Sequence, residues 1–217
     1  MPESSRVNLR MRSLELARDC AALGARIRTI HHLTGLRPRE LLYLLFTDCD
    51  PPPRGRAPDT REWYHTANLL YRTESSVIVA TFQRLRRIGF AAAEALISAY
   101  RYYQSVYRPP YRISFDRAFD LAAHTEGRWI AKSASFHVLT CPHCLSQYLD
   151  AIGANAAPGQ RCLFCCLVDR HRRDPRLTAS FPGTPPASPE VVQAWLQAGY
   201  ADAEIPPTLL EFPVAKA

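Results

Sequence analysis

Apolar residues recur at three- and four-residue steps along the first half of the chain, and this period predicts a largely helical fold. The first helix is predicted over residues 8–25, where Leu9, Leu16 and Leu23 share one face and Gly24 ends or bends it. A longer helix is predicted over residues 60–88, because apolar positions continue without a break to Gly89.

The ends of the later helices carry their own signals. Asp59 is predicted to cap the helix over residues 60–88, with Glu62 reaching back from the third helical position. Another helix follows over residues 90–107, and Ser114 is suited to cap the next one. Beyond it, Trp129 and Ile130 and the segment at 136–139 are predicted as short strands or extended segments.

Residues 26–46 have the layout of a helix-turn-helix, with helices at 26–33 and 37–46 joined by a turn at Gly35. Four leucines are predicted to form the buried face of this unit: Leu36, Leu41, Leu44 and Leu45. Arg37 and Arg39 lie at the start of the second helix, where such units contact base edges or phosphates. Because the bulky His31 occupies a position that is usually small, a helical hairpin that binds protein is an equal alternative.

Seven cysteines change this picture, because four of them form two pairs with metal-ligand spacing. Cys141 and Cys144 are separated by two residues, and Cys162 and Cys165 repeat this spacing after a gap of 17 residues. Four thiolates in this arrangement predict one Zn²⁺ in a closed, structural site, so no catalytic role is expected and the chain is not predicted to be an enzyme.

Alternatives to this ligand set stay open at the level of sequence. Cys166 adjoins Cys165 and could be the fourth ligand, but Cys165 is favoured because it reproduces the spacing of the first pair. His137 or His143 could replace one sulfur, yet neither is followed by the glutamate that a zinc deaminase requires. Two disulfides are disfavoured, because the chain begins without an apolar export segment and we expect it in the reducing cytoplasm, with no membrane span.

Positive charge is concentrated before the end of the chain. The 217 residues carry a net charge of +7, and residues 174–217 hold two basic and five acidic side chains, which leaves +10 on residues 1–173. An anionic partner such as nucleic acid therefore follows, although a merely soluble basic surface is the alternative. Arg170, Arg172 and Arg173 lie just after the second cysteine pair and are predicted to contact phosphate, with a solvated charge run as the alternative.

These patterns predict a mainly α fold in which an N-terminal helical domain with a helix-turn-helix-like unit is followed by a small C-terminal zinc-binding module with four cysteine ligands. Residues 1–128 are assigned to the helical domain, which docks on a partner and binds DNA, and residues 129–173 to the zinc-binding module with its basic tract. Residues 174–217 are predicted as a proline-rich linker and a short terminal helix near residues 188–199.

Over roughly residues 14–173 the chain resembles the bacterial flagellar transcriptional activator family FlhC. The segments that carry the resemblance are 23–27, 51–55, Trp63, 99–102 and the paired cysteines, in that order. The resemblance implies a cytoplasmic, DNA-binding activator that assembles with an FlhD-like subunit as a heterohexamer, two copies of this chain with four of FlhD. It also implies that Cys141, Cys144, Cys162 and Cys165 correspond to the zinc ligands of that family.

In this interpretation the complex binds double-stranded promoter DNA upstream of flagellar (class II) operons and recruits RNA polymerase to switch them on. The alternative function is a zinc-stabilised adaptor that binds protein or RNA without sequence-specific DNA contact. Footprinting on a duplex distinguishes the two, because only the activator protects a defined site.

Overall fold

The amphipathic segments fold as α-helices, and the computed structural model of the chain is mainly helical, as the sequence predicts. It describes residues 3–46, 51–55, 62–153, 161–171 and 173–180. The chain divides into two compact units, Met1–Arg170 and His171–Ala217. The domain boundaries placed at residues 128 and 173 by sequence stay predictions. None of the described helices is long and apolar enough to cross a membrane.

The first three helices form the predicted helix-turn-helix and the helix before it. They are α1 (Glu3–Ala22), α2 (Ile27–Thr34) and α3 (Pro38–Leu45). Gly35 has φ 74°, a left-handed conformation that glycine adopts without steric cost, and its N–H donates to the carbonyl of His31. Leu36 and Leu41 are buried as predicted, whereas Leu44 is 48% exposed, so its assignment to the buried face is wrong.

The helix predicted over residues 60–88 is two helices, α4 (Glu62–Thr66) and α5 (Leu69–Arg87). The break is stabilised by Asn68, whose side chain accepts a hydrogen bond of 3.2 Å from the N–H of Tyr71 and so caps α5. A single continuous helix is therefore a wrong prediction, because a local capping interaction competes with the helical period. The other predicted cap, Asp59, lies outside the described residues.

Helices α6 (Ala92–Val106) and α7 (Phe115–Glu126) complete the helical part. Ser114 caps α7 as predicted, since its side chain accepts from the N–H of Arg117. The main core lies where α1, α2, α3, α5, α6 and α7 meet, and it includes the buried side chains of Ile30, Phe82 and Leu96.

A β-hairpin follows the helices. Strands β1 (Phe136–Thr140) and β2 (Gln147–Ala151) pair antiparallel, with Thr140 opposite Gln147 next to the connecting loop. The hairpin packs on α5 and α7 through a second cluster of buried residues: Tyr64, Val79, Leu121, Phe136 and Leu149. Trp129 and Ile130 lie in a turn in which Trp129 has φ 55°, so the strand or extended segment predicted there is wrong.

Two short helices end the described chain, α8 (Leu163–His171) and α9 (Pro175–Ser180). α9 lies within the second unit and at the start of the predicted linker, so this part of the linker is helical. Pro175 is its first residue, where the missing N–H of proline costs no hydrogen bond. The terminal helix predicted near residues 188–199 lies outside the described residues.

Candidate metal centre and arginine surfaces

The β-hairpin and the start of α8 each present one cysteine pair. Cys141 follows β1 directly, and Cys144 lies in the loop that leads to β2. Cys162 immediately precedes α8, and Cys165 lies in the first turn of that helix. The N–H of Cys165 donates to the sulfur of Cys162 at 3.4 Å, as it would to a capping side chain.

The loop between the strands is a tight knuckle held by its own backbone. The N–H of Cys141 donates to the carbonyl of Ser146 at 3.0 Å, and the N–H of Leu145 donates to the carbonyl of Cys141 at 2.9 Å. Closing this loop places Leu145 at φ 59°, a left-handed conformation that is strained for a leucine. The knuckle thus directs both of its sulfurs towards the pair on α8.

The four sulfurs converge on one point. All of them lie within 4.8 Å of one another. The sulfurs of Cys141 and Cys165 are 3.9 Å apart, and those of Cys144 and Cys162 are 3.5 Å apart. Tetrahedral coordination with Zn–S bonds of about 2.3 Å places sulfurs about 3.8 Å apart, so the cluster has the size that a zinc ion requires. The four cysteines could therefore hold a metal ion.

Hydrogen bonds and burial shift the four thiol pKa values in opposite directions. The backbone N–H of Cys144 lowers the pKa of Cys141 to about 6, and the side chain of Ser146 lowers the pKa of Cys144. The hydrogen bond with Cys144 raises the pKa of Cys165 to about 12, and burial raises the pKa of Cys162. Four thiolates this close repel one another, so a bound cation is the natural means of ionising the whole set.

Cys166 is directed away from this cluster. Its sulfur donates to the carbonyl of Arg161 at 3.7 Å, and within the described residues the group of possible ligand atoms is the four sulfurs alone. Successive residues of a helix are rotated by about 100°, so Cys165 and Cys166 face different directions from α8. The geometry brings together the four cysteines that the spacing rule favours.

The arginines predicted to contact DNA lie at separate places in the chain. Arg37 and Arg39 are both exposed at the start of α3, so they share one helix terminus. Arg170 is exposed near the end of α8, and Arg173 is exposed in the second unit. Arg172 lies outside the described residues.

Some of the positive charge is used inside the helical part, which sequence reasoning missed. Arg26 pairs with Asp116, which is 2% exposed, and Arg112 lies 2.9 Å from Glu74, which is 1% exposed. Arg26 also donates to the carbonyl of Arg54. The contact between Arg26 and Arg54 joins the segments 23–27 and 51–55, and the proximity of those two segments to each other has no local signal in the sequence.

His31 also has a role that the sequence did not reveal. Its Nδ1 lies 2.7 Å from the carbonyl oxygen of Leu36, across the turn of the helix-turn-helix. The bulky side chain of His31 therefore contributes a hydrogen bond to the turn. A small residue at this position would contribute only its size.

Comparison with known proteins identifies a family. A family described as "Flagellar transcriptional activator (FlhC)" matches residues 3–176, which is most of the chain and includes all four clustered cysteines. No curated protein sequence matches it.

Proposed function

The chain belongs to the FlhC family of flagellar transcriptional activators, and from this premise we propose that it is the DNA-binding subunit of a cytoplasmic activator complex. It acts with an FlhD-like partner, two copies of this chain with four of the partner, on promoter DNA of flagellar (class II) operons. The complex activates these operons by recruiting RNA polymerase. The observation that carries this proposal is the family match over residues 3–176.

One zinc ion is part of the proposal, held by Cys141, Cys144, Cys162 and Cys165. The sulfur separations of 3.9 and 3.5 Å support it, because they fit tetrahedral thiolate coordination. Four sulfurs fill the coordination sphere, so the ion would supply stability and no open position for chemistry. Its effect is to hold the β-hairpin against α8.

DNA contact is proposed for Arg37 and Arg39 on α3 and for Arg170, Arg172 and Arg173 after the metal site. The exposure of Arg37, Arg39, Arg170 and Arg173 supports this assignment, because a guanidinium must reach solvent to pair with a phosphate. Each neutralised phosphate releases a counterion, so binding is expected to weaken steeply as salt rises.

The experiment that tests the proposal is a salt-titrated DNA-binding assay on this chain co-purified with its FlhD-like partner. We expect a defined footprint on promoter DNA, and we expect the Arg170→Ala/Arg172→Ala/Arg173→Ala variant to lose affinity and salt dependence. Three contacts correspond to a change of about 2.7 in the slope of log affinity against log salt. Unchanged affinity in the triple variant would remove these residues from the DNA site, and no footprint for the wild-type complex would refute the proposed function.

A specific observation supports protein binding as a second role for the helix-turn-helix. Leu42, Tyr43 and Leu44 are consecutive on α3 and all exposed, with Tyr43 at 88%. Exposed apolar runs of this kind are typical of surfaces that another protein covers. If α3 serves this role alone, Arg37→Ala/Arg39→Ala will leave the footprint intact, whereas Tyr43→Ala will weaken co-purification of the partner.

A further inference from the structure

The last turn of α5 carries three arginines, and one of them, Arg86, contacts Glu126 at the end of α7, as does Arg128. These residues are here called the basic corner: Arg84, Arg86, Arg87, Arg128 and Glu126. Arg86 Nε lies 2.8 Å from Glu126 Oε1, and Arg128 lies 3.4 Å from Glu126 Oε2. The single carboxylate therefore has two arginine partners already. One carboxylate cannot neutralise four arginines, so the basic corner has a net positive charge.

The end of α5 does not need all of its arginines for helix stability. A cation near the last turn interacts favourably with the negative end of the helix dipole. Arg86 fills this role, since it donates to the carbonyl of Phe90 just beyond the helix as well as to Glu126. Arg84 and Arg87 are additional to it.

The side chains of Arg84 and Arg87 are both exposed, and in the part of the chain that the structure describes neither guanidinium group forms a hydrogen bond or an ion pair. Residues three apart on a helix are neighbours on its surface, so the two guanidinium groups lie on the same side of α5. Like charges at this spacing destabilise a helix. Repulsion between the two like charges offsets what each gains from the helix dipole, and an external anion gives a separate reason for the pair.

We propose that the basic corner binds the phosphate backbone of the DNA duplex, with Arg84 and Arg87 as its two direct phosphate contacts. This inference rests on the proposed function, and it adds a contact surface apart from α3 and the tract after the metal site. The guanidinium fork forms paired hydrogen bonds with phosphate oxygens, and phosphate contacts fix the position of a protein on DNA without reading its sequence.

Exposed apolar side chains lie beside these arginines. Ile88 is 67% exposed and Phe90 is 42% exposed. DNA-binding surfaces can place apolar side chains beside arginines against the sugars and bases of a groove, but an acidic protein surface can also accept such a combination. Glu126 is already paired with Arg86 and Arg128, and the guanidinium groups of Arg84 and Arg87 lie side by side on α5. This arrangement favours a uniform anionic chain, so DNA is the occupant that we infer.

The test compares two double variants of the full chain in complex with its FlhD-like partner. Arg84→Ala/Arg87→Ala is expected to weaken binding to every duplex tested and to reduce the salt slope by about 1.8, or about 0.9 for each phosphate contact. Arg10→Ala/Arg101→Ala is the matched control. It removes the same charge from exposed helical positions whose arginines already pair with Glu40 and Asp19, so its slope should stay near that of the wild type.

Further variants separate loss of contact from loss of fold. Arg84→Lys/Arg87→Lys keeps both charges and should restore most of the salt slope, while the alanine variant should melt no earlier than the wild type. An alanine variant that retains wild-type affinity and slope overturns the proposal. So does one that binds DNA normally but no longer binds purified RNA polymerase, because the corner would then contact an acidic protein. If the wild-type complex shows no salt-dependent binding, the proposed function itself has failed.

Discussion

At the scale of single residues, the candidate metal centre depends on the direction in which each sulfur points. Cys165 and Cys166 are neighbours in the sequence, yet only the Cys165 sulfur approaches Cys141, while the Cys166 sulfur faces the carbonyl of Arg161. The helix that starts at Leu163 separates them by its rotation per residue. Cys165 is therefore expected to be a metal ligand, and Cys166 is not.

Replacing Cys144 by serine is expected to abolish stoichiometric metal binding and to unfold at least the hairpin and α8. Structural zinc sites contribute on the order of 10 kcal/mol, which is comparable to the stability of a whole domain. Metal content by elemental analysis and a thermal melt of the purified protein measure both effects.

Cys166→Ser is the matched control for this substitution. It changes a sulfur to an oxygen at the residue next to Cys165 but outside the cluster, so we expect full metal content and an unchanged melt. A protein that keeps its zinc with Cys144→Ser and loses it with Cys166→Ser would show that the ligand set is wrong.

At the scale of elements, the break between α4 and α5 decides what the short helix can contact. Tyr64 on α4 is buried, and its hydroxyl donates to the carbonyl of Leu149 on β2 at 2.7 Å. The break at Asn68 lets α4 follow its own direction onto the hairpin while α5 crosses the main core. The capping side chain thus links a local turn to the packing of a distant element.

Asn68→Ala is expected to destabilise the protein by about 1 kcal/mol, because the N–H of Tyr71 loses the acceptor that caps α5. Urea unfolding followed by circular dichroism measures the change. Asn68→Asp keeps an acceptor at the same position and should remain within a few tenths of a kcal/mol of the wild type. Equal stability of the alanine and aspartate variants would mean that the cap contributes nothing.

At the scale of the whole molecule, the hairpin that carries one cysteine pair of the candidate metal centre also packs against the helices. The strands that hold the knuckle bury Phe136 and Leu149 against Tyr64, Val79 and Leu121 of the helices. The N–H of Leu149 donates to the side chain of Ser76 on α5 at 3.0 Å. Loss of the metal should therefore weaken the packing of the hairpin on the helices as well as the cysteine cluster itself.

Removal of the metal by a chelator is expected to increase hydrogen exchange at the amide of Leu149, because the hairpin loses the clamp that keeps it folded against α5. Exchange measured by NMR or mass spectrometry reports this directly. Ile30 on α2 belongs to the other core cluster, and its N–H donates to the carbonyl of Arg26, the N-cap residue of that helix, so this amide should stay protected. Unchanged protection at Leu149 after complete metal removal would show that the hairpin folds without the ion.

The sequence by itself determined the features that arise from neighbouring residues. The sequence predicted α1 and α6 as helices and Ser114 as the cap of α7, Gly35 gave the turn of the helix-turn-helix, and cysteine spacing selected the four sulfurs that the fold brings together. Each of these signals is a short pattern of neighbouring residues, such as the two-residue spacing within each cysteine pair, and at this range the geometry of the backbone restricts the outcome.

Only the tertiary structure decided the features that depend on distant segments. It placed Arg26 against Asp116, exposed Leu44, turned the chain at Trp129 and seated the hairpin on α5 and α7. A helical period states which side chains share a face but not which surface that face will meet. Burial of a charge and the choice between core and solvent are set by contacts across the whole fold, and these have no local counterpart in the sequence.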